Sequence, residues 1–140
     1  MLSLEYIAGF IDGEGCLNIT FSKFGHITPR VLITNTNKEV LEEIQKLFGG
    51  DIGLTTVKNK PHWKPRYMYR ISNMKALELI MQISPFLIIK REQAKLFKEL
   101  YDFRTNRTKY AKKNTEELMV ENRIKTEISR LNKKGVQNAA

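Results

Sequence analysis

The sequence predicts an α+β domain in which helices pack on one face of a four-stranded antiparallel sheet. Three observations carry that prediction. Two pairs of short segments alternate apolar and polar residues with a period of two, as half-buried strands do. Helical patterns, with apolar residues three and four apart, precede, separate and follow those pairs, which suits hairpins better than parallel crossovers. A chain of 140 residues that is 41% hydrophobic is the size of one domain with a substantial core.

The elements follow in order along the chain. The first helix is expected over Leu4 to Asp12. Leu17, Ile19 and Phe21 then alternate with Asn18, Thr20 and Ser22 in a first strand. Gly25 to Pro29 reads as a turn or short loop. A second strand follows from Arg30 to Asn35, with Val31 and Ile33 inward and Arg30, Leu32 and Thr34 outward. Thr36-Asn37-Lys38-Glu39 reads as a capping box that starts a helix through Val40, Leu41, Ile44 and Leu47, and Gly49-Gly50 stops it. The next strands are expected over Ile52 to Asn59 and Arg66 to Ser72, around a basic, proline-bounded loop from Lys60 to Pro65. Asn73 can cap a helix through Leu77, Ile80 and Ile83. Ser84-Pro85 then restarts helix, continuing through Lys90, Ala94, Phe97 and Tyr101. Arg104 to Lys113 is a polar, basic link without periodicity. A last helix, Thr115 to Lys133, aligns Val120, Ile124, Ile128 and Leu131 on one face, and the tail from Gly135 is expected to be disordered.

Composition narrows the partners. The formal net charge is +9, which points to a polyanion and most simply to nucleic acid. No apolar run approaches the ~20 residues of a membrane span, and no basic region precedes the N-terminal apolar stretch as in a secretory signal. These features, with a single cysteine (Cys16) that excludes an intrachain disulfide, indicate an intracellular, unsecreted protein; organelle and prokaryotic cytoplasm are not distinguished. One cysteine and two histidines (His26 and His62) do not make a zinc site. The charge is also unevenly placed: Ile52 to Leu77 holds six basic residues (Lys58, Lys60, Lys64, Arg66, Arg70, Lys75) and no acid. A predicted hairpin of that kind suits phosphate contact.

The most informative stretch is Ile7-Ala8-Gly9-Phe10-Ile11-Asp12-Gly13-Glu14-Gly15. Gly9 and Gly13 lie four apart and so share a helix face nearly free of side chains. Elsewhere in a helix each glycine costs about 1 kcal/mol relative to alanine, whereas a bare face lets another backbone approach closely. Glu14 is placed at the helix end on a Gly-flanked turn. Two helices packed through their glycine faces would set two such acids side by side, an arrangement suited to metal ions and phosphate chemistry.

These nine residues resemble the signature of the LAGLIDADG homing endonucleases, in register as I-A-G-F-I-D-G-E-G. The element order α-β-β-α-β-β-α-α is similar to that family's core, so the resemblance covers residues 1–103. Residues 104–140 are read as a basic link, C-terminal helix and short tail of the same domain. The resemblance implies a homodimeric, intron-type enzyme that cuts a long, pseudo-palindromic DNA site by divalent-metal-dependent hydrolysis of one phosphodiester per strand. It implies Glu14 as the acid that coordinates Mg²⁺ (or another divalent cation such as Mn²⁺), and Ala8, Gly9, Asp12 and Gly13 at the dimer interface.

The remaining sites follow from residues and resemblance together. Asp12 reads as structural, accepting backbone N–H bonds at the turn or across the interface; a direct metal role is the weaker reading, because residues two apart on a helix face differently. Lys90, in Ser84-Pro85-Phe86-Leu87-Ile88-Ile89-Lys90, resembles the family lysine that reaches the active site; the alternative is a lysine snorkelling to solvent. Asn35 stands where the family often has Gln, to position water or metal, or else forms a turn.

The outward strand residues Asn18, Thr20, Ser22, Arg30, Leu32, Thr34, Thr56, Lys58, Arg66, Met68 and Arg70 form a ribbon suited to a DNA major groove. Arg30, Arg66 and Arg70 are natural guanine readers and Asn18 an adenine reader, with Leu32 or Met68 on thymine methyls. Lys58, Lys60, Lys64 and the link residues Arg104, Arg107, Lys109, Lys112 and Lys113 suit phosphates. Trp63 either contacts the DNA backbone or folds onto its hairpin, and the C-terminal helix either extends DNA contact or braces the core. The competing function is a binding module on the same scaffold, either an RNA splicing maturase, with intron RNA as partner, or a DNA-binding regulator. A basic structural protein of a ribonucleoprotein explains the charge but not the motif.

Overall fold

A computed structural model describes residues 2–21, 26–55, 64–106 and 115–133. The element order is α1 (Leu4–Glu14), β1 (Gly15–Phe21), β2 (Ile27–Asn35), α2 (Lys38–Phe48), β3 (Asp51–Thr55), β4 (Arg66–Ser72), α3 (Asn73–Ile83), a 3₁₀ turn (Ser84–Phe86), α4 (Arg91–Thr105) and α5 (Thr115–Asn132). The strands form one antiparallel sheet in the order β1-β2-β4-β3, so two hairpins join through their second strands. This is the expected α+β architecture.

Alternation divides the sheet cleanly. Leu17, Ile19, Ile27, Val31, Ile33, Tyr69 and Ile71 turn inward and are buried against Ile7 and Ile11 of α1, Leu41 and Ile44 of α2, and Leu77, Leu79 and Ile80 of α3. Phe97 and Leu100 of α4 and Ile124 and Ile128 of α5 complete that core. Helix α5 packs on β1, β2 and α4, and Asn132 Nδ2 donates to the Leu17 carbonyl at 2.6 Å. Glu121, buried on the same helix, pairs with Arg104 at 3.7 Å, while Arg104 also donates to the Ile27 carbonyl at 2.7 Å. In the described residues α5 therefore braces the sheet.

Several boundaries differ from expectation, each for a physical reason. Helix α1 runs two residues further, through Glu14, and passes into β1 with no intervening turn. Gly15 permits this junction, since a Cβ there would lie 2.9 Å from the Ile11 carbonyl oxygen. β2 starts at Ile27 rather than Arg30 because Ile27 to Pro29 still pair with β1. Proline is tolerated there because β4 pairs only from Arg30 onward. The N-cap of α2 is Asn37 rather than Thr36: the Asn35 side chain accepts the Asn37 N–H, and Asn37 in turn accepts from Val40. Ser72, not Asn73, is the N-cap of α3, and Asn73 takes φ 59, which asparagine tolerates.

The expected continuous helix from Pro85 through Tyr101 is broken. Leu87 is extended and buried, and Ile88 and Ile89 project outward at 73% and 72% exposure before α4 begins after Lys90. Asp12 takes the amides of Ile88 and Lys90, which removes the hydrogen bonds that would continue the helix.

The α2–β3 corner rests on Gly49 (φ 83) and Gly50 (φ 98). A Cβ on Gly50 would lie 2.7 Å from the Arg70 carbonyl oxygen and 3.0 Å from the Tyr69 ring. Gly50→Ala is expected to cost about 1–3 kcal/mol from backbone strain, with the clash adding to it. A fall in the urea midpoint at unchanged slope would show this; an unchanged midpoint would contradict the geometry.

Candidate active site and nucleic-acid interface

The end of α1 organises the site. Asp12 Oδ2 accepts the Ile88 N–H at 2.7 Å and Oδ1 accepts the Lys90 N–H at 3.0 Å. Lys90 returns the contact, its Nζ donating to the Asp12 main-chain carbonyl at 2.7 Å. Asp12 thus caps the start of α4, while Lys90 brings to the end of α1 the positive charge that its own last turn lacks. Burial pushes the Asp12 carboxyl up, but the amides of Ile88, Lys90 and Ile89 and the Lys90 charge together outweigh it, leaving its pKa below the ordinary value.

Asp12 is structural, as expected, and of the two expected settings it takes the turn of its own chain rather than the interface, with only 8% of its surface exposed. One expectation changes. Ala8, expected at the helix contact, is fully buried in the core and offers no surface to a second copy. Gly9 and Gly13 are exposed, and among the described residues a Cβ on either would meet nothing within 4 Å. On the same helix Tyr6 is half exposed and 6.1 Å from the Phe10 ring between centroids, and Ile88 and Ile89, at the turn that Asp12 holds, are exposed. Lys90 neither snorkels freely nor lies within a helix; its ammonium is folded onto α1 two residues before Glu14.

Glu14 is exposed and lines a pocket of about 320 Å³ with Thr34, Asn35, Thr36 and Arg66. The Asn35 side-chain oxygen accepts the Asn37 N–H at 2.8 Å and so forms the turn, and Asn35 also lines the pocket. Arg66, expected among the base readers, lines this pocket with Glu14. Thr36 and this use of Arg66 were missed because they depend on strand register, which brings β4 and the end of β2 beside α1.

The outward face is built in cross-strand rows: Thr20 with Thr28; Asn18, Arg30 and Ser72; Cys16, Leu32, Arg70 and Asp51; then Thr34, Met68 and Gly53. Thr55 and Arg66 close it beside Glu14. Asn18, Thr20, Arg30, Leu32, Thr34, Met68 and Arg70 share this face, as expected, and Lys64 is exposed at its edge. Asn18 Oδ1 and Arg30 Nε, on paired residues, are each buried with no hydrogen-bond partner. Ser22, Thr56, Lys58, Lys60, His62, Trp63, the link residues Arg107, Lys109, Lys112 and Lys113, and the tail from Gly135 lie outside the described residues. Asp51 and Ser72 are absent from the sequence-based expectations, and Lys75 enters them only as part of the basic block. They line a recess of about 360 Å³ with Arg30, Gly50, Arg70 and Ile71.

The Asp12 geometry makes a testable statement about acid stability. Because the folded carboxyl holds its proton more weakly than the ordinary 3.8, its stabilisation is complete above that pH and drains away as the pH falls towards the lower folded value. Asp12→Asn, which can satisfy only one of the two amides with its oxygen, is expected to lose about 1–3 kcal/mol near neutrality. Urea titrations of both chains should converge as the pH drops below 3.8. A constant gap down to strong acid would contradict the account.

Comparison with known proteins places this geometry. The family model described as LAGLIDADG endonuclease matches residues 7–100. No curated protein sequence matches the chain. Among solved structures, the archaeal intron-encoded homing endonuclease I-Vdi141I, complexed with DNA, superposes with a TM-score of 0.71 at 25% identity, over 98% of this chain and 88% of that one. I-CvuI, in complex with its target in the presence of calcium, gives a TM-score of 0.71 at 20% identity, covering 98% of this chain and 85% of its own. The meganuclease I-AabMI, bound to uncleaved DNA, gives 0.67 at 25% identity, over 89% of this chain but 44% of its own. The motif on α1, the two joined hairpins and the family match agree: this chain belongs to the LAGLIDADG endonuclease family.

Proposed function

We propose that this chain is a site-specific double-strand DNA endonuclease. It acts as a homodimer on a long, pseudo-palindromic site and hydrolyses one phosphodiester on each strand with a divalent ion. One observation carries the proposal: an exposed carboxylate, Glu14, ends a helix whose outer face is bare at Gly9 and Gly13. Pairing that face with a second copy brings two such acids together, and a two-fold pair reads the same half-site twice. The 44% coverage of I-AabMI agrees, since a longer chain of that kind has room for two such units.

The chain's own residues divide the work. Glu14 supplies carboxylate oxygens, the donor class that hard divalent ions such as Mg²⁺ or Mn²⁺ take together with phosphate and water. Among the described residues no group of three or more His, Cys, Asp or Glu side chains surrounds it, so a metal would be held by Glu14 of both copies and the DNA. Bound there, such an ion supplies Lewis-acid stabilisation of charge building on the phosphate. Lys90 uses one N–H on the Asp12 carbonyl and keeps two more for a phosphate oxygen or a water. Arg66 counters the backbone charge, and the Asn35 amide orients a water at the pocket wall. Along the sheet, Arg30 and Arg70 read bases, while Lys64 and the basic residues of the hairpin and of the link after α4 hold phosphates; Arg104, expected among them, is instead engaged by Glu121 and the Ile27 carbonyl. Relatives crystallised with DNA, one of them with calcium present, support this reading.

The test is cleavage of a randomised-site plasmid library in Mg²⁺ by wild type and Glu14→Gln. Site-specific double-strand cuts by wild type are expected, reduced on the order of 10³-fold in the variant with DNA binding kept. Undiminished cutting by Glu14→Gln would remove Glu14 from the chemistry. Binding without any cleavage by a folded wild-type dimer would replace the nuclease with a maturase or regulator.

A further inference from the structure

We infer that Asp51 is a specificity-determining residue that selects cytosine through its exocyclic amine, beside the base that Arg70 reads; this rests on the DNA recognition proposed above. Asp51 is the one carboxylate among the described outward-facing strand residues. Its Cα partner across the β3–β4 ladder is Arg70, and Leu32 and Cys16 continue the row. It is exposed, and no cation lies within ion-pair distance of it among the described residues. A carboxylate on a surface facing phosphates weakens binding everywhere unless a hydrogen-bond donor meets it.

The major groove offers such donors only on the exocyclic amines of cytosine and adenine. Adenine sets its N7 acceptor beside the amine, where it repels the second carboxylate oxygen; cytosine has only a C–H there. Asp51 therefore fits cytosine. Arg70, about 5 Å away across the ladder, carries the opposite pattern of donors and fits guanine.

The placement is rigid. Tyr69 Oη donates to the Gly49 carbonyl at 2.6 Å, and Gln45 Nε2 donates to the Gly50 carbonyl at 3.0 Å. Gly50 in turn packs directly on the Arg70 backbone, so the corner that starts β3 is held from two sides. The backbone that carries Asp51 is thereby set in place before any DNA arrives, which lowers the ordering cost of a contact.

The test is selection of binding sites from a DNA library, comparing wild type with Asp51→Asn. Wild type is expected to prefer cytosine about tenfold at one position of each half-site. In Asp51→Asn that preference should fall and adenine should gain most, since asparagine pairs with adenine N6 and N7, while every other position keeps its profile. An unchanged profile would overturn the inference, as would uniform tightening on all sequences, the mark of a carboxylate that only repels phosphate. A wild-type chain that selects no sequence would overturn the proposed function itself, and this inference with it.

Discussion

The fold of the active end depends on one reciprocal contact, the exchange of caps between Asp12 and Lys90. Residues 78 apart in sequence satisfy each other's helix ends: a carboxylate takes two amides at the start of α4, and an ammonium takes a carbonyl at the end of α1. Neither helix caps that end with its own side chains, although α4 carries Glu92 in its first turn. The last turn of α1 has no basic residue, and the N-cap of α4 is Lys90, whose side chain makes no cap hydrogen bond. Charge-assisted bonds in a nearly buried setting are among the stronger single contacts a small domain can make. Their effect is positional: Glu14, two residues on, leaves the helix at a fixed point and angle.

That contact also gives α1 its two different sides. Ile7, Ala8, Ile11 and Asp12 face the chain's own core, which leaves Gly9 and Gly13 outward with Tyr6. Two glycines within one helix are a local cost, and among the described residues nothing lies within 4 Å of where their Cβ atoms would be. Their presence makes sense as a surface for a second backbone. Ile88 and Ile89, turned out by the break after Leu87, add exposed apolar area at the turn held by Asp12. The proposed pairing, the pocket at Glu14 and the outward sheet thus all take their geometry from one helix end.

Much of this was legible in the residues. Strict alternation in Leu17 to Phe21 and Tyr67 to Ile71 fixed which side chains face out, because a period of two leaves no freedom once one face is buried. The motif on α1 carried the family. What failed were features that depend on tertiary partners. Ser84-Pro85 and the apolar run behind it look like one helix; only the distant Asp12 carboxylate competes for the amides that would continue it. Ala8 and Asp12 looked like interface residues until the packing of α3 and the turn before α4 claimed them. Nothing local to Asp51 shows that β3 begins there and sets it opposite Arg70. Arg66 reached the Glu14 pocket through sheet register, which a linear reading does not give.

The central claim is that the bare face of α1 exists for another copy of itself, and Gly9→Ala tests it most directly. Sedimentation would read association, and urea unfolding at low concentration would read the stability of the single chain. The account predicts opposite effects: a gain of about 1 kcal/mol for the chain, because alanine is the better helix former and finds open space, together with weakened self-association. Association as strong as wild type, with the same gain in stability, would contradict it.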